Sequence, residues 1–382
     1  MAEEFRLGVG GPLHRVERAA HLDQLRVLVV AAIGLTWIPL LLLSLAQWLI
    51  AHRAEPLLKD LSVHVRLLVT LPLLLLAERL LDRSCSRAVA RLFAEGFVAP
   101  EEHDQARAVL DRAERWRDSP GPETVLLALA IASGVASLVG ILHPAGIMHG
   151  VESSRYDLVR VWYALVSLPV FLFVLWRSLF RWGLWARVLG GLSRVHLRLL
   201  PTHADRRGGI GFLKDPSMTY GVVLLLGVSS ALCAGWGSQI ALYGTTLAAL
   251  KPLLVAFVLI GLIIAFAPLL PFMPLLFVAR RRGLAEYGSL VSDYSRELEE
   301  RWSEGRSRAD LLGSPDFSGL ADIGASYREN VERMQVLLFG LRDAVLLLVV
   351  SVLPALPILF AQLPVRDVLQ RLLHLFTGGM PG

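Results

Sequence analysis

The residues with the clearest chemical potential in this sequence form a short polar, glycine-rich run, PTHADRRGG at 201–209. Successive backbone N–H groups in such a turn can surround an anion, and arginines beside them can hold a phosphate through paired hydrogen bonds. The run lacks the Lys-Ser/Thr pair of a nucleotide-binding P-loop. It predicts contact with a phosphate or lipid headgroup through His203, Asp205, Arg206, Arg207, Gly208 and Gly209. A loop closed by its own hydrogen bonds and a metal or catalytic site are the alternatives.

A basic, amphipathic stretch lies directly before this run. On a continuous helix, Arg187, Arg194 and Arg198 would project to similar sides, with leucines and valines on the opposite side. Helices of this kind lie in the membrane interface and are attracted to anionic phospholipids. Residues 181–216 are therefore predicted to form a basic interfacial helix followed by a glycine-rich loop, with plain packing in the cytosol as the alternative.

Charged residues and prolines inside apolar stretches are the second group of candidates. His64, Arg66 and Glu78 fall within one apolar stretch, and Pro268, Pro271 and Pro274 recur three positions apart in another. Buried charges in membranes often line ion or substrate paths, and prolines kink helices. These six residues are predicted to line or gate a path. Snorkelling of Arg66 and bends tolerated within packing are the alternatives.

The elements that would position these residues are membrane-spanning helices. The chain has 382 residues, 54% of them hydrophobic, and spanning a bilayer takes about 20 mostly apolar residues. Seven stretches are long enough: 27–50, 61–81, 123–142, 158–180, 217–243, 252–279 and 343–363. The sequence therefore predicts an all-α polytopic membrane protein with about seven transmembrane helices and cytoplasmic helical segments.

The distribution of basic residues predicts the orientation. Segments 1–26, 79–122, 177–215 and 280–342 carry 4, 8, 8 and 10 of the 38 Lys and Arg residues. Because basic residues collect in cytoplasmic loops, these segments are predicted to face the cytoplasm. The N-terminus would then be cytoplasmic and the C-terminus periplasmic in a bacterial inner membrane.

The predicted organisation follows from the spans and the orientation. It comprises a cytoplasmic segment 1–26, helices one and two in 27–81, a cytoplasmic helical segment 82–122, helices three and four in 123–180, the interfacial helix and loop 181–216, helices five and six in 217–279, a cytoplasmic helical segment 280–342, and helix seven with a tail in 343–382.

Composition narrows the functional classes. The formal charge of +5 is explained by basic cytoplasmic loops, so no nucleic-acid partner is predicted. The two cysteines, Cys85 and Cys233, exclude a disulfide framework and a multi-cysteine metal site, and neither a cofactor nor a metal is predicted. Gly227, Ala231 and Gly235 form a small-residue pattern that permits close helix approach, within the chain or between copies.

Three stretches carry a resemblance. The run from Trp182 to Phe212, the GGPLHR stretch at 10–15 and the ARRRGLAEYGSL stretch at 279–290 resemble an uncharacterised family of bacterial multi-pass inner-membrane proteins. The resemblance implies a bacterial inner-membrane location. The family has no assigned activity, so no functional residue is carried over from it.

These observations favour a non-enzymatic, self-associating protein that forms a channel or permeation path for ions or small solutes. The small-residue helix, the proline-rich span and the scarcity of carboxylates in the spans support this hypothesis. A scaffold or sensor that contacts anionic phospholipids is the first alternative. A membrane enzyme that acts on a phosphate-bearing lipid at 203–211 is the second.

Overall fold

The computed structural model describes residues 5–8, 10–11, 24–51, 60–139, 158–243, 247–303 and 315–358. Within these ranges the regular elements are all helices, and one isolated β-bridge joins Val98 to Leu197. Among the described residues, seven helices are long and apolar enough to cross a membrane. The protein is therefore an all-α polytopic membrane protein, as predicted.

Nine helices, labelled in chain order, describe the architecture of these ranges. They are α1 (Leu25–Leu49), α2 (Leu61–Ala94), α3 (His103–Asp118), α4 (Pro120–Val139), α5 (Leu158–Leu192), α6 (Gly211–Ile240), α7 (Lys251–Glu300), α8 (Pro315–Ser326) and α9 (Leu341–Ile358). All except α3 and α8 are candidate membrane spans.

Three helices form the centre of the bundle. Half of the most apolar window of α2, α5 and α6 is buried, against 17% in α1 and α9 and 22% in α4. Their contact surfaces supply large core side chains such as Leu71, Trp185 and Tyr220. The outer helices expose large apolar side chains such as Val30, Val125 and Ile263, which is the arrangement that hydrocarbon surroundings favour.

The small-residue pattern of α6 is used inside the chain. A Cβ added at Gly227 would lie 3.3 Å from the Cβ of Leu73, and one added at Gly235 would lie 4.0 Å from the Cβ of Ser62. Both neighbours belong to α2. The sequence permitted a close helix approach either within the chain or between two copies. At these two positions the approach is within the chain, between α6 and α2.

Four segments outside the spans meet at one end of the bundle, here called the capped end. The Gly8 N–H donates to Asp82, the Arg198 N–H donates to the Phe97 carbonyl, and the Gln335 N–H donates to the Arg206 carbonyl. The Gly11 N–H also donates to Asp118, so these bonds gather residues 5–8 and 10–11 with the segments 95–119, 193–210 and 327–340. The opposite end, where α2 and α5 begin, is called the far end. That the capped end faces the cytoplasm stays a prediction.

The separate interfacial helix predicted within 181–216 is wrong. The transmembrane helix α5 continues to Leu192, and the chain beyond it is irregular. Gly190 and Gly191 weaken the helix at this point, and the Arg198 N–H pairs with the Phe97 carbonyl at 2.7 Å instead of continuing a helix. Arg187 therefore lies on α5, whereas Arg194 and Arg198 lie in the irregular chain.

Gly134 in α4 provides a test of this packing. A Cβ at Gly134 would collide with the Ala164 carbonyl oxygen in α5, a backbone atom that cannot rotate away. We expect Gly134→Ala to destabilise the purified protein by about 1–3 kcal/mol, the usual cost of overpacking. A Cβ at Gly183 meets nothing within 4 Å, so Gly183→Ala is the matched control. Equal thermal unfolding midpoints for the two variants would contradict the packing of α4 on α5.

Candidate functional site

Two of the central helices widen at equivalent places. Residues Arg66–Thr70 of α2 and Tyr163–Ser167 of α5 form π-helical turns, and a Leu-Pro pair follows each turn. Proline cannot donate a hydrogen bond to the preceding turn, so regular α-helical bonding is interrupted there. Turns of the π type are frequent at functional sites. The sequence carries the signal as two matching pentapeptides, LVTLP at 68–72 and LVSLP at 165–169.

A hydroxyl at the last position of each π-turn donates to a neighbouring helix. Thr70 Oγ1 donates to the Gly227 carbonyl of α6 at 2.9 Å, and Ser167 Oγ donates to the Thr36 carbonyl of α1 at 2.8 Å. Both bonds are buried, where a hydrogen bond is strong and an unpaired hydroxyl would be costly. The two π-turns are therefore fixed in place by contacts of the same kind.

The first residues of the two π-turns contact each other. The Arg66 guanidinium donates to the Tyr163 hydroxyl and lies 5.7 Å from the centre of the Phe171 ring. Neither partner is a carboxylate, and no ion pair joins Arg66 to another described residue. Arg66 stands five positions after Leu61, which places it about 8 Å along α2 from the far end.

A cavity of about 380 Å³ lies beside Arg66 and is bounded by α4, α5 and α6. We call it the Arg66 cavity. Its polar lining consists of Arg66, Ser133 and Ser137, and its deeper lining is apolar, including Phe171, Leu172 and Trp176. Ser137 is 1% exposed, and its hydroxyl has no hydrogen-bond partner among the residues that the structure describes. A guanidinium and a buried unpaired hydroxyl thus face one apolar-walled space.

A second cavity adjoins the first. It has a volume of about 170 Å³ and a wholly apolar lining that includes Leu179, Trp182 and Tyr220, and we call it the Trp182 cavity. Leu175 and Val228 line both cavities. The two spaces therefore follow one another along α5 and α6, from Arg66 towards the capped end.

Glu78 lies in a closed ion cluster and not with Arg66. Its carboxylate oxygens accept hydrogen bonds from Arg177 at 2.8 and 3.1 Å and from Arg181 at 2.9 Å. The three side chains are at most 7% exposed. Twelve positions separate Arg66 from Glu78, about 18 Å along α2. Glu78 does not line either cavity, so the structure does not bring it together with Arg66, and its role in lining or gating a path stays a prediction.

The other candidates from the spans are also separated. His64 accepts a hydrogen bond from the Trp37 indole at 3.0 Å and so joins α2 to α1. Residues Ala267–Phe272 form a 3₁₀ segment inside α7, which is the bend expected from the prolines. Pro268 is buried, whereas Pro271 and Pro274 are exposed, and none of the three lines the Arg66 or Trp182 cavity.

The backbone amides of the glycine-rich loop bind a carboxylate of the same chain, that of Asp205. The backbone N–H groups of Arg207, Gly209 and Gly211 donate to the Asp205 carboxylate at 2.8, 3.0 and 2.9 Å. Gly208 and Gly209 have φ angles of 66° and 92°, which glycine adopts without strain. The loop is thus closed by its own hydrogen bonds, the alternative that the sequence left open.

The loop's basic side chains attach it to the segment before α9. Arg206 pairs with Glu329, and Arg207 donates to the Leu337 carbonyl and to the Gln335 side chain. The His203 imidazole lies 2.9 Å from the Asp205 carboxylate. Burial by itself would raise the pKa of Asp205, but the three backbone donors and His203 outweigh that effect and hold the pKa below its ordinary value.

The predicted basic stripe is not assembled. The Arg187 guanidinium lies over the Trp116 ring at 5.3 Å, and Arg198 is an exposed side chain 3.6 Å from Glu101. Arg194 is exposed in the irregular chain after α5. The three arginines do not lie on one helix, so they cannot form the continuous lipid-binding face that the helical pattern predicted.

Comparison with family models, with curated proteins and with solved structures gives no match. The function is therefore inferred from the geometry of the Arg66 cavity and its surroundings.

The Glu78 cluster predicts a large effect of one substitution. In Glu78→Gln, two buried guanidiniums lose their carboxylate, and breaking a buried ion pair in this way costs about 3–5 kcal/mol. Glu286, whose ion pair with Arg282 is exposed, provides the control Glu286→Gln, which should change the stability much less than Glu78→Gln does. Denaturant or thermal unfolding in detergent measures the loss of stability in both variants. A loss in Glu78→Gln as small as that in Glu286→Gln would show that Glu78 does not form a buried ion pair with Arg177 and Arg181.

The Asp205 loop predicts a pH dependence. Because the folded-state pKa is lowered, the carboxylate stabilises the loop at pH values above its ordinary pKa of about 4 and loses that effect as the pH falls through the folded value. Asp205→Asn should accelerate hydrogen exchange at the Arg207, Gly209 and Gly211 amides at neutral pH and remove this acid dependence. Asp111→Asn, at an exposed site on α3, is the control. Unchanged exchange in Asp205→Asn would contradict the hydrogen-bond assignment.

Proposed function

We propose that this integral membrane protein binds an amphiphile with an anionic headgroup, with the headgroup at Arg66 and the apolar chain in the Arg66 cavity. The observation that carries the proposal is a guanidinium whose contacts within the described structure are a phenol and an aromatic ring, at the mouth of an apolar cavity. The ligand class follows from the charge and the shape of that space.

The charge of Arg66 favours an anion. A charged side chain inside a membrane costs several kcal/mol unless it is compensated. The carboxylate of Glu78 compensates Arg177 and Arg181, whereas the contacts of Arg66 among the described residues are the Tyr163 hydroxyl and the Phe171 ring. A phosphate or carboxylate headgroup would supply the missing charge and form bidentate hydrogen bonds. The Ser137 hydroxyl is a further polar group available to it.

The shape of the cavity favours a lipid chain over a compact solute. The lining is polar beside Arg66 and apolar towards Trp176, which is thirteen positions after Tyr163, the hydrogen-bond partner of Arg66. Helix geometry gives a depth of about 20 Å between these levels, whereas one leaflet of hydrocarbon is about 15 Å thick. A headgroup at Arg66 therefore leaves its chain parallel to α5 and inside the bundle.

A permeation path for ions or small solutes is the second candidate. It is favoured by the adjoining cavities, which share Leu175 and Val228 and extend along α5 from Arg66 to Trp182. Self-association would have to use surfaces other than Gly227 and Gly235, because both face α2. The third candidate, an enzyme acting at 203–211, is weakened because the Asp205 carboxylate already occupies the loop amides.

The proposed location is a bacterial inner membrane with the capped end in the cytoplasm. The concentration of Lys and Arg in segments 1–26, 79–122, 177–215 and 280–342 supports this orientation. The resemblance to uncharacterised bacterial inner-membrane proteins supports the same location. In this orientation the Arg66 cavity opens near the periplasmic leaflet.

Substitution of Arg66 tests the proposed function. After gentle detergent purification, we expect the Arg66→Gln variant to carry at most about one tenth of the anionic lipid that the wild type carries. Native mass spectrometry and lipid extraction measure the bound lipid. Arg66→Lys should show an intermediate loss, because it keeps the charge without the bidentate geometry. Arg26→Gln, at an exposed position near the start of α1, is the control.

Two outcomes would decide against lipid binding at Arg66. Equal lipid retention by the wild type, Arg66→Gln and Arg26→Gln would remove the proposal. Ion or solute flux through liposomes that Arg66→Gln changes while lipid retention does not change would favour the permeation path.

A further inference from the structure

We propose a second binding site, separate from the Arg66 cavity, in which Arg87 and Arg91 hold a phosphate group at the capped end. A groove of about 420 Å³ lies between α2 and α6. Its polar lining consists of Ser84, Arg87, Arg91, Asp215 and Thr219, with Phe212 as an aromatic wall. The volume falls in the range of small-molecule sites, about 300–1,000 Å³.

The two arginines form a pair on one face of α2. They stand four positions apart, so their side chains are neighbours on the helix surface. Arg87 donates to the Arg83 carbonyl at 3.2 Å and to the Ser84 hydroxyl at 3.4 Å, both within its own helix. A guanidinium has five N–H donors, so Arg87 keeps donors for a ligand within the described structure.

Arg91 is held in position by two contacts. Its Nε donates to Glu95 at 2.7 Å, and its guanidinium lies 4.5 Å from the centre of the Phe212 ring. A planar guanidinium held in this way loses little conformational freedom when it binds a phosphate. Together Arg87 and Arg91 can contact several oxygens of one phosphate, which a pair of lysines would do with less geometric specificity.

The positive charge available to an anion in the groove is that of Arg87, in spite of Asp215. The lining contains two arginines and one carboxylate, and Glu95 outside the lining pairs with Arg91, whereas the described hydrogen-bond partners of Arg87 are neutral. The adjacent Lys214 is engaged elsewhere, because its ammonium lies 2.8 Å from both oxygens of Asp343. A phosphate would therefore contact the α2 side of the groove, with Ser84 and Thr219 as neutral hydrogen-bonding groups and Asp215 at the α6 side.

The depth of the groove matches a headgroup layer. Arg87 is twenty-one positions after Arg66 on α2, a separation of about 31 Å, and the hydrocarbon core of a bilayer is about 30 Å thick. With Arg66 near the headgroups of one leaflet, Arg87 reaches the headgroups of the other. The phosphate can belong to a phospholipid of that leaflet or to a soluble phosphate compound, since both present the same chemistry.

Binding measurements on the full-length protein in a neutral detergent test the site with two probes. Phosphatidylglycerol is titrated and its retention followed by native mass spectrometry, and inorganic phosphate is titrated and followed by the thermal unfolding midpoint. We expect Arg87→Gln/Arg91→Gln to lose at least tenfold in apparent affinity for whichever probe binds the wild type. Arg87→Lys/Arg91→Lys should lose less, because it keeps the charge.

Matched variants separate this site from the Arg66 cavity. Arg83→Gln removes an exposed arginine of the same helix that does not line the groove, and it should bind as the wild type does. In an Arg66→Gln background, the Arg87/Arg91-dependent binding should persist, so failure at one site is distinguishable from failure at the other. If the double variant does not fold, Thr219→Phe narrows the groove while keeping both arginines and should produce the same loss.

The outcome also identifies the source of the phosphate. Saturation by phosphatidylglycerol without competition by millimolar inorganic phosphate assigns the groove to a lipid headgroup, and competition assigns it to phosphate groups in general. Affinities of the groove variants equal to that of Arg83→Gln for both probes would overturn the proposal.

Discussion

Polar groups in hydrocarbon must be paired inside the protein, and the central helices of this bundle are arranged around that requirement. The Glu78 carboxylate satisfies two guanidiniums of α5 at once, and the hydroxyls of Thr70 and Ser167 donate to carbonyls of neighbouring helices. Each of these contacts can form at only one relative position of the two helices that it joins. The same requirement makes Arg66 exceptional, because its described contacts leave its charge without a carboxylate.

The geometry of the Arg66 cavity follows from local backbone effects. The prolines at 72 and 169 interrupt α-helical bonding, and a π-turn precedes each of them. These turns place Arg66 and Tyr163 at matching positions, where their side chains meet. Gly134 lets α4 approach the second π-turn closely. The Arg66 cavity therefore lies where the two π-turns and the close approach of α4 at Gly134 occur together.

Much of the fold could be predicted from the sequence because it follows from local composition. The seven apolar stretches correspond to the seven helices that can span a membrane, and the proline-rich stretch in α7 bends as expected. The helix predicted through Arg194 and Arg198 failed because the pairing of that segment with Phe97 is a tertiary contact. Periodicity describes which residues share a face of a helix, but it does not show whether the helix continues.

The sites could be predicted less well than the fold. The partner of Glu78 is 99 positions away along the chain, so no local pattern assigns Arg177 to it. The glycine-rich loop was identified correctly as a place where amides converge, but the sequence could not distinguish an external anion from the carboxylate of Asp205. The repeated LV(T/S)LP pentapeptide was visible in the sequence, and its position beside Arg66 and Tyr163 gives it meaning.

The placement of carboxylates distinguishes the arginines that join distant parts of the fold from Arg66 and Arg87. Arg177, Arg181 and Arg206 each contact a carboxylate of a distant segment, and each joins two parts of the fold. Arg66 and Arg87 have described hydrogen-bond partners that are neutral, and each lies beside a cavity. Because both belong to α2 and are about one hydrocarbon thickness apart, a single rigid helix presents positive charge to the two headgroup layers. Anionic headgroups at those two depths can compensate guanidiniums that have no hydrogen-bonded carboxylate among the described residues.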